Sequence, residues 1–168
     1  MRASGGARIC RQVTDDPATS CLDPESYVNR SIHFTTLYGA VPEPGRYAAA
    51  LAWPAAGRTM TLAPERAATL AGSKELALRL AVPPNSTGTR LGVTVVDKSG
   101  KRTPLGDVTV NGLPASENIA AHWAQEVRVP LKGARSLAKL ELTSRTASGQ
   151  AWLIDAWGWR PGTPDPRE

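Results

Sequence analysis

The sequence predicts an all-β protein: an antiparallel β-sandwich, a jelly roll of about eight or nine strands, with at most one or two short helical turns. Three observations predict it. Apolar residues alternate with period two in one segment after another, the signature of strands with one face toward a core. Turn signals built from Gly, Pro, Asn and Asp return roughly every ten residues. Strand-like segments are not interleaved with long helical ones, which excludes βαβ units, and one polar face per strand fits antiparallel pairing.

Taken in order, "SIHFTTLYG" and "RYAAALAWP" read as strands, the second ended by Pro54, and "RTMTL" as a short strand. "APERAATLAG" is the first helix candidate, with Glu65, a run of alanines and a closing Gly72 giving a single turn. "KELALRLAVPPN" places Leu76, Leu78, Leu80 and Val82 on one face, against Ala77, Arg79 and Ala81. "TRLGVTVVDKSGKRTPLGDVTV" places Leu91, Val93 and Val95 together and breaks at Asp97-Lys98-Ser99-Gly100, a hairpin loop with Gly100 left-handed. "ASENIAAHWA" is the second helix candidate. "QEVRVPL" and "LAKLELTSR" alternate again, setting Val127, Val129 and Leu131, then Leu140 and Leu142, toward the interior. If Gln150 to Arg160 is one regular strand, Trp152, Ile154, Ala156, Gly158 and Arg160 share one face. Leu153, Asp155, Trp157 and Trp159 then share the other.

At 168 residues the chain is one domain with short appendages. Residues 1–26 form a polar, turn-rich N-terminal segment, 27–160 the sandwich, and 161–168 a Pro-rich tail. No apolar run is long enough to span a membrane. "MRASGGARIC" lacks the apolar region of an intact signal peptide, so Met1 reads as the start of a fragment or of a mature chain without its leader. The net charge of +5 comes from singly scattered cations, and the one dense group, Lys98, Lys101 and Arg102, sits at a hairpin. Nucleic-acid binding needs a cationic stripe with aromatic platforms, and the pattern excludes that partner.

Cys10 and Cys21 enclose a loop rich in Asp, Pro, Ser and Thr. A structural disulfide, and with it a secreted location, is the favoured reading over two free cytosolic thiols. Neither His lies near the pair, which argues against zinc, and the spacing is not that of a redox motif.

The order of segments from Ala48 to Arg160 resembles the galactose-binding-domain-like jelly rolls, the fold of many carbohydrate-binding modules and accessory domains of secreted bacterial hydrolases. "ALAWPAAGRTMTL" is similar to the family's early Trp-bearing strand, turn and short strand, and "ELALRLAVPP" to the strand that opens its central part. "VTVVDKSGKRTPL" is similar to its hairpin. "HWAQEVRVPL", "LAKLELTS" and "SGQAWLIDAWGW" are similar to the closing series. The resemblance implies a non-catalytic module, an associated hydrolase domain and a polysaccharide or oligosaccharide ligand. A structural calcium ion is a further expectation, with Asp15, Asp16 and Asp23 as nearby carboxylates, although no motif carries ligands across.

Residue types nominate the site. Three of the five tryptophans, Trp152, Trp157 and Trp159, fall within eight positions. A stacking platform needs flat rings in water, which Trp157 and Trp159 at i and i+2 supply; the competing reading puts Trp152 and Trp157 in the core. Asp155 beside them is a hydrogen-bond acceptor, or a catalytic acid if a second carboxylate faces it, and Glu117, Glu126 and Glu141 are the candidates for that partner. The long polar loop before "QEVRVPL" offers Glu117, Asn118 and His122 as hydroxyl-binding groups, with Trp123 or Trp53 to stack, although Trp123 has core parity. No Gly-x-Ser-x-Gly elbow or Ser-His-Asp set is present. Asn85-Ser-Thr matches a glycosylation sequon and reads more simply as a turn. Function therefore divides into glycan binding by stacking and hydrogen bonds, a structural or protein-interaction domain without a small ligand, and a hydrolase with an unidentified carboxylate pair.

Overall fold

The computed structural model describes residues 1–12, 14, 16, 18–21, 47–114 and 124–163, and the backbone alone of 34–35 and 122–123. Among them are thirteen strands and no helix: β1 Arg2–Ser4, β2 Ala7–Arg11, β3 Phe34–Thr35, β4 Tyr47–Trp53, β5 Thr59–Ala63, β6 Ala68–Thr69, β7 Glu75–Ala81, β8 Thr89–Val96, β9 Arg102–Val110, β10 His122–Pro130, β11 Ser136–Leu137, β12 Lys139–Ser144 and β13 Gly149–Trp159. They form a five-stranded sheet, β1-β5-β12-β8-β9, and a six-stranded sheet, β2-β4-β13-β7-β10-β3, with β6 and β11 as a small separate pair. Every pairing is antiparallel except that of β10 with β3.

The alternating residues meet between the two sheets. Leu76, Leu78, Leu80 and Val82 from β7 and the residues after it face Leu91, Val93 and Val95 of β8, Leu140 and Leu142 of β12, and Met60 and Leu62 of β5. Each such side chain contributes roughly 1.5–3 kcal/mol by leaving water. Because the period of a strand is two, this burial pins the register of each ladder.

The β8–β9 hairpin forms where Asp97-Lys98-Ser99-Gly100 breaks the pattern. The Asp97 carboxylate accepts the Ser99 N–H and O–H and the Lys101 N–H, and Gly100 sits at φ 89°. The Ser99 hydroxyl, the Lys101 amide and the nearby ammonium hold the Asp97 carboxyl below its ordinary value of 3.8. Pro83 to Ser86 is a turn, with Asn85 at φ 65° and its N–H on the Leu113 carbonyl.

The structure differs from expectation in three places outside β13. Residues 64–72 contain no helical turn: Leu70 is buried, its N–H bonds the Arg135 carbonyl, and Ala68–Thr69 pair with β11. Tertiary pairing outweighs the weak helix preference of so short a segment. The second helix candidate ends inside β10 from His122 onward, and its residues 115–121 lie outside the described residues. The sandwich begins at Arg2 rather than at residue 27, because β1 joins the five-stranded sheet and β2 the six-stranded one. Gly5 and Gly6, both left-handed, allow that crossing between layers, since a Cβ on either would collide with the Thr59 or Ala52 carbonyl oxygen.

Candidate functional site

The site is built on the outer face of the six-stranded sheet, and β13 is its spine. The strand is not regular. It pairs with β7 as Leu153↔Leu80 and then Asp155↔Arg79, so Ile154 is an extra residue, a β-bulge. Before the bulge Ala151 and Leu153 face the core and Trp152 faces outward. Ile154 joins Trp152 in the outer cluster, and Asp155 meets Arg79 on that same side. Trp157, across from Ala77, and Trp159, across from Glu75, follow two and four residues later. The extra residue therefore brings Trp152, Asp155, Trp157 and Trp159 to one face. This corrects the regular-strand expectation, which set Trp152 and Ile154 against the other three.

The three tryptophans differ in surroundings. Trp152 is buried beside the Cys10–Cys21 disulfide, which is formed, and its indole N–H donates to the Cys21 carbonyl at 3.0 Å. It packs with Ala48, Ala81, Ala124 and Ile154 as a small second core under the outer face. Trp157 and Trp159 are half-buried. The Arg79 guanidinium lies 5.5 Å from the Trp157 ring centroid, and the Arg128 guanidinium 4.0 Å from that of Trp159. The Trp157 indole N–H meets no acceptor among the described residues.

Two acid–base pairs accompany the rings. Arg79 is almost fully buried and its Nη1 lies 3.5 Å from Asp155 Oδ2. One strand further on, Glu126 pairs with Arg128 at 3.2 Å. The ladder aligns Asp155, Arg79 and Glu126 across three adjacent strands. At about 4.8 Å per strand, the two acidic residues are about 10 Å apart at their backbones, with a guanidinium between them.

The other sequence-predicted residues fall elsewhere. Trp53 is buried in the main core, and its N–H donates to the Ala147 carbonyl at 2.8 Å, so its ring is not offered to solvent. Glu141 stands on the opposite sheet, buried and engaged by Arg102. Glu117 and Asn118 lie outside the described residues. Of His122 and Trp123 only the backbone is described, at the start of β10 and paired with β3. Asp15 and Asp23 lie outside the described residues. The Asp16 carboxylate accepts the Ala18 N–H. Arg79 and Arg128 are what reading the sequence missed: their alternation with leucines and valines marks an outward face, but only the β13-β7-β10 order of the sheet shows which tryptophans they touch.

The sequence matches no protein-family model, and no curated protein matches it. Solved structures do. An exo-β-agarase matches 78% of this chain over 22% of its own length, at 14% identity and a TM-score of 0.50. A carbohydrate-binding module described as specific for non-crystalline cellulose matches 72% of this chain and 78% of its own, at 9% identity and a TM-score of 0.48. A family 32 carbohydrate-binding module from C. perfringens NanJ, solved with galactose, matches 92% of this chain and 90% of its own at 14% identity and a TM-score of 0.40. At 14% identity the likeness to the agarase speaks to the fold alone and not to a ligand.

Proposed function

We propose that the chain is a non-catalytic carbohydrate-binding module whose ligand lies along the outer face of the six-stranded sheet. The observation that carries this reading is the placement of Trp157 and Trp159 on one side of β13, half-exposed and about 6.6 Å apart along the strand. A guanidinium against an indole holds the ring and occupies one side of it, leaving the other for the C–H face of a sugar. Arg128 and Glu126, each about one-third exposed, supply hydrogen bonds to hydroxyls.

A hydrolase is the weaker reading. Asp155 and Glu126 share the face, but Arg79 fills the space where a scissile bond would sit, and each acid is paired with an arginine. Secretion fits the Cys10–Cys21 bond, which persists in oxidising compartments. Nucleic acid is a poor partner, because Arg79, Arg90, Arg102, Arg128 and Arg145 each face a carboxylate and form no cationic stripe. Affinity electrophoresis against a panel of soluble polysaccharides tests the reading. At least one should retard the native protein, with retardation lost in Trp159→Ala and reduced in Arg128→Ala while the unfolding midpoint stays near native. Equal mobility of native and variant proteins on every polysaccharide would sink it.

A further inference from the structure

All five lysines of the chain, Lys74, Lys98, Lys101, Lys132 and Lys139, gather at one end of the sandwich. They are scattered in sequence, and the connections between strands bring them together. Lys98 and Lys101 lie on the β8–β9 hairpin, Lys132 between β10 and β11, Lys74 just before β7, and Lys139 at the start of β12. Hydrogen bonds tie these connections to one another. The Lys98 N–H donates to the Ser136 hydroxyl at 3.3 Å, the Leu131 N–H to the Lys74 carbonyl at 3.1 Å, and the Ala138 N–H to the Val96 carbonyl at 2.8 Å. All five lysines are exposed, and none forms an ion pair among the described residues. The described carboxylates of this end offset little of that charge. Glu65 faces the terminal amine, Asp97 is held in its own turn, Glu141 is buried and engaged by Arg102, and Glu75 is half-buried.

One of these lysines is held against its backbone preference. Lys132 sits at φ 50° in the turn that the Ala134 N–H closes on the Leu131 carbonyl at 3.0 Å. Glycine adopts that left-handed conformation without steric conflict, as Gly133 does at φ 87°, whereas a lysine is strained there. Such an outlier points to a use for the side chain rather than for the turn.

The basic end continues the tryptophan face. β13, β7 and β10 finish on one rung, Trp159, Glu75 and Pro130. Just beyond it stand Arg160, Lys74, whose N–H donates to the Trp159 carbonyl at 2.8 Å, and Lys132, two residues past Pro130. A polymer lying on Trp157 and then Trp159 runs off the strand into these cations.

We infer that the ligand is an anionic polysaccharide, its sugar rings on the tryptophans and its carboxylate or sulfate groups against the lysine end. The inference rests on the glycan reading and adds the charge of the ligand to it. Lysine suits such a ligand, because an ammonium is a compact point charge on a flexible stem that can follow groups spaced along a hydrated chain. Recognition of nucleic-acid phosphate favours the planar guanidinium instead. Cations of one sign on one end also raise the local concentration of a polyanion and speed its capture.

The probes are fluorescein-labelled oligogalacturonate and sulfated dextran, each beside its uncharged counterpart, the methyl ester and plain dextran, and single-stranded DNA of equal charge. Fluorescence anisotropy with the full chain should show binding of at least one acidic sugar, tighter as salt is lowered. Its uncharged counterpart and the DNA should bind more weakly. Changing Lys74, Lys98 and Lys101 together to Gln should weaken binding about tenfold, since each exposed contact contributes up to about fivefold. Lys132→Gly should also weaken it while the unfolding midpoint stays near native, because the strain leaves with the side chain. Arg58→Gln with Arg145→Gln, a strand's length away at the opposite end, should change binding by less than about twofold. Equal affinity for the charged and uncharged sugar, equal affinity for the DNA, or unchanged binding by the lysine variants would overturn the inference. Retardation by neutral polysaccharides alone would also overturn it and would leave the module reading standing. Absence of binding to every polysaccharide, neutral or acidic, would remove both.

Discussion

The two halves of β13 are one strand in two environments. From Gly149 to Leu153 it lies between β4 and β7, and Ala151, Trp152 and Leu153 are buried. From Asp155 to Trp159 only β7 flanks it among the described strands, and its large side chains are half-exposed. The hinge between these regimes is one residue, Ile154. The difference teaches that a bulge can divide a strand into a fully packed part and a part whose large side chains are left half-exposed.

Replacing each tryptophan is the sharpest way to break the comparison. Trp152→Ala removes a fully buried indole that also bonds Cys21, and should cost about 3–5 kcal/mol in chemical denaturation. Trp157→Ala should cost less than half of that, because its ring is only half-buried. Equal losses would erase the distinction between the halves. Next in size is the disulfide that covers Trp152. Replacing Cys10 and Cys21 by Ser should cost about 2–3 kcal/mol, as expected for closing a short loop, and reduction should reproduce the loss. Asp155→Asn should cost about 1–3 kcal/mol by weakening the partner of buried Arg79. A smaller figure would mean that the outward half contributes almost nothing to folding.

The smallest effect lies away from β13. Asp97 has its carboxyl pulled below 3.8 in the folded protein. Its contribution to stability is therefore present above 3.8 and is lost as pH falls through the lower, folded value. Asp97→Asn should lower the unfolding midpoint slightly at neutral pH, and the difference from the native protein should vanish as acid is added. A difference that grows in acid would reverse the sign and refute the assignment.

Much of the fold is legible in the sequence, for a local reason. Leu76, Leu78 and Leu80, or Leu140 and Leu142, announce their common face by spacing alone, and Asp97 to Gly100 announces its turn by the conformations those residues tolerate. The site is legible only in part. Trp157, Trp159 and Asp155 stand out by type, while Arg79 and Arg128 look like ordinary outward charges until β7 and β10 are set beside β13. Trp53 looks available in the sequence and is spent on the core.

What the sequence by itself determined is the sandwich, its alternation, the hairpin at Asp97 and the cysteine pair, because each depends on residues close along the chain. Tertiary structure alone decided the bulge at Ile154, the gathering of the tryptophans on one face, and the strand pairing that replaces a helical turn near Leu70. Each of these is a choice of register between distant strands. A one-residue shift there exchanges the faces of everything that follows, and no local pattern records it.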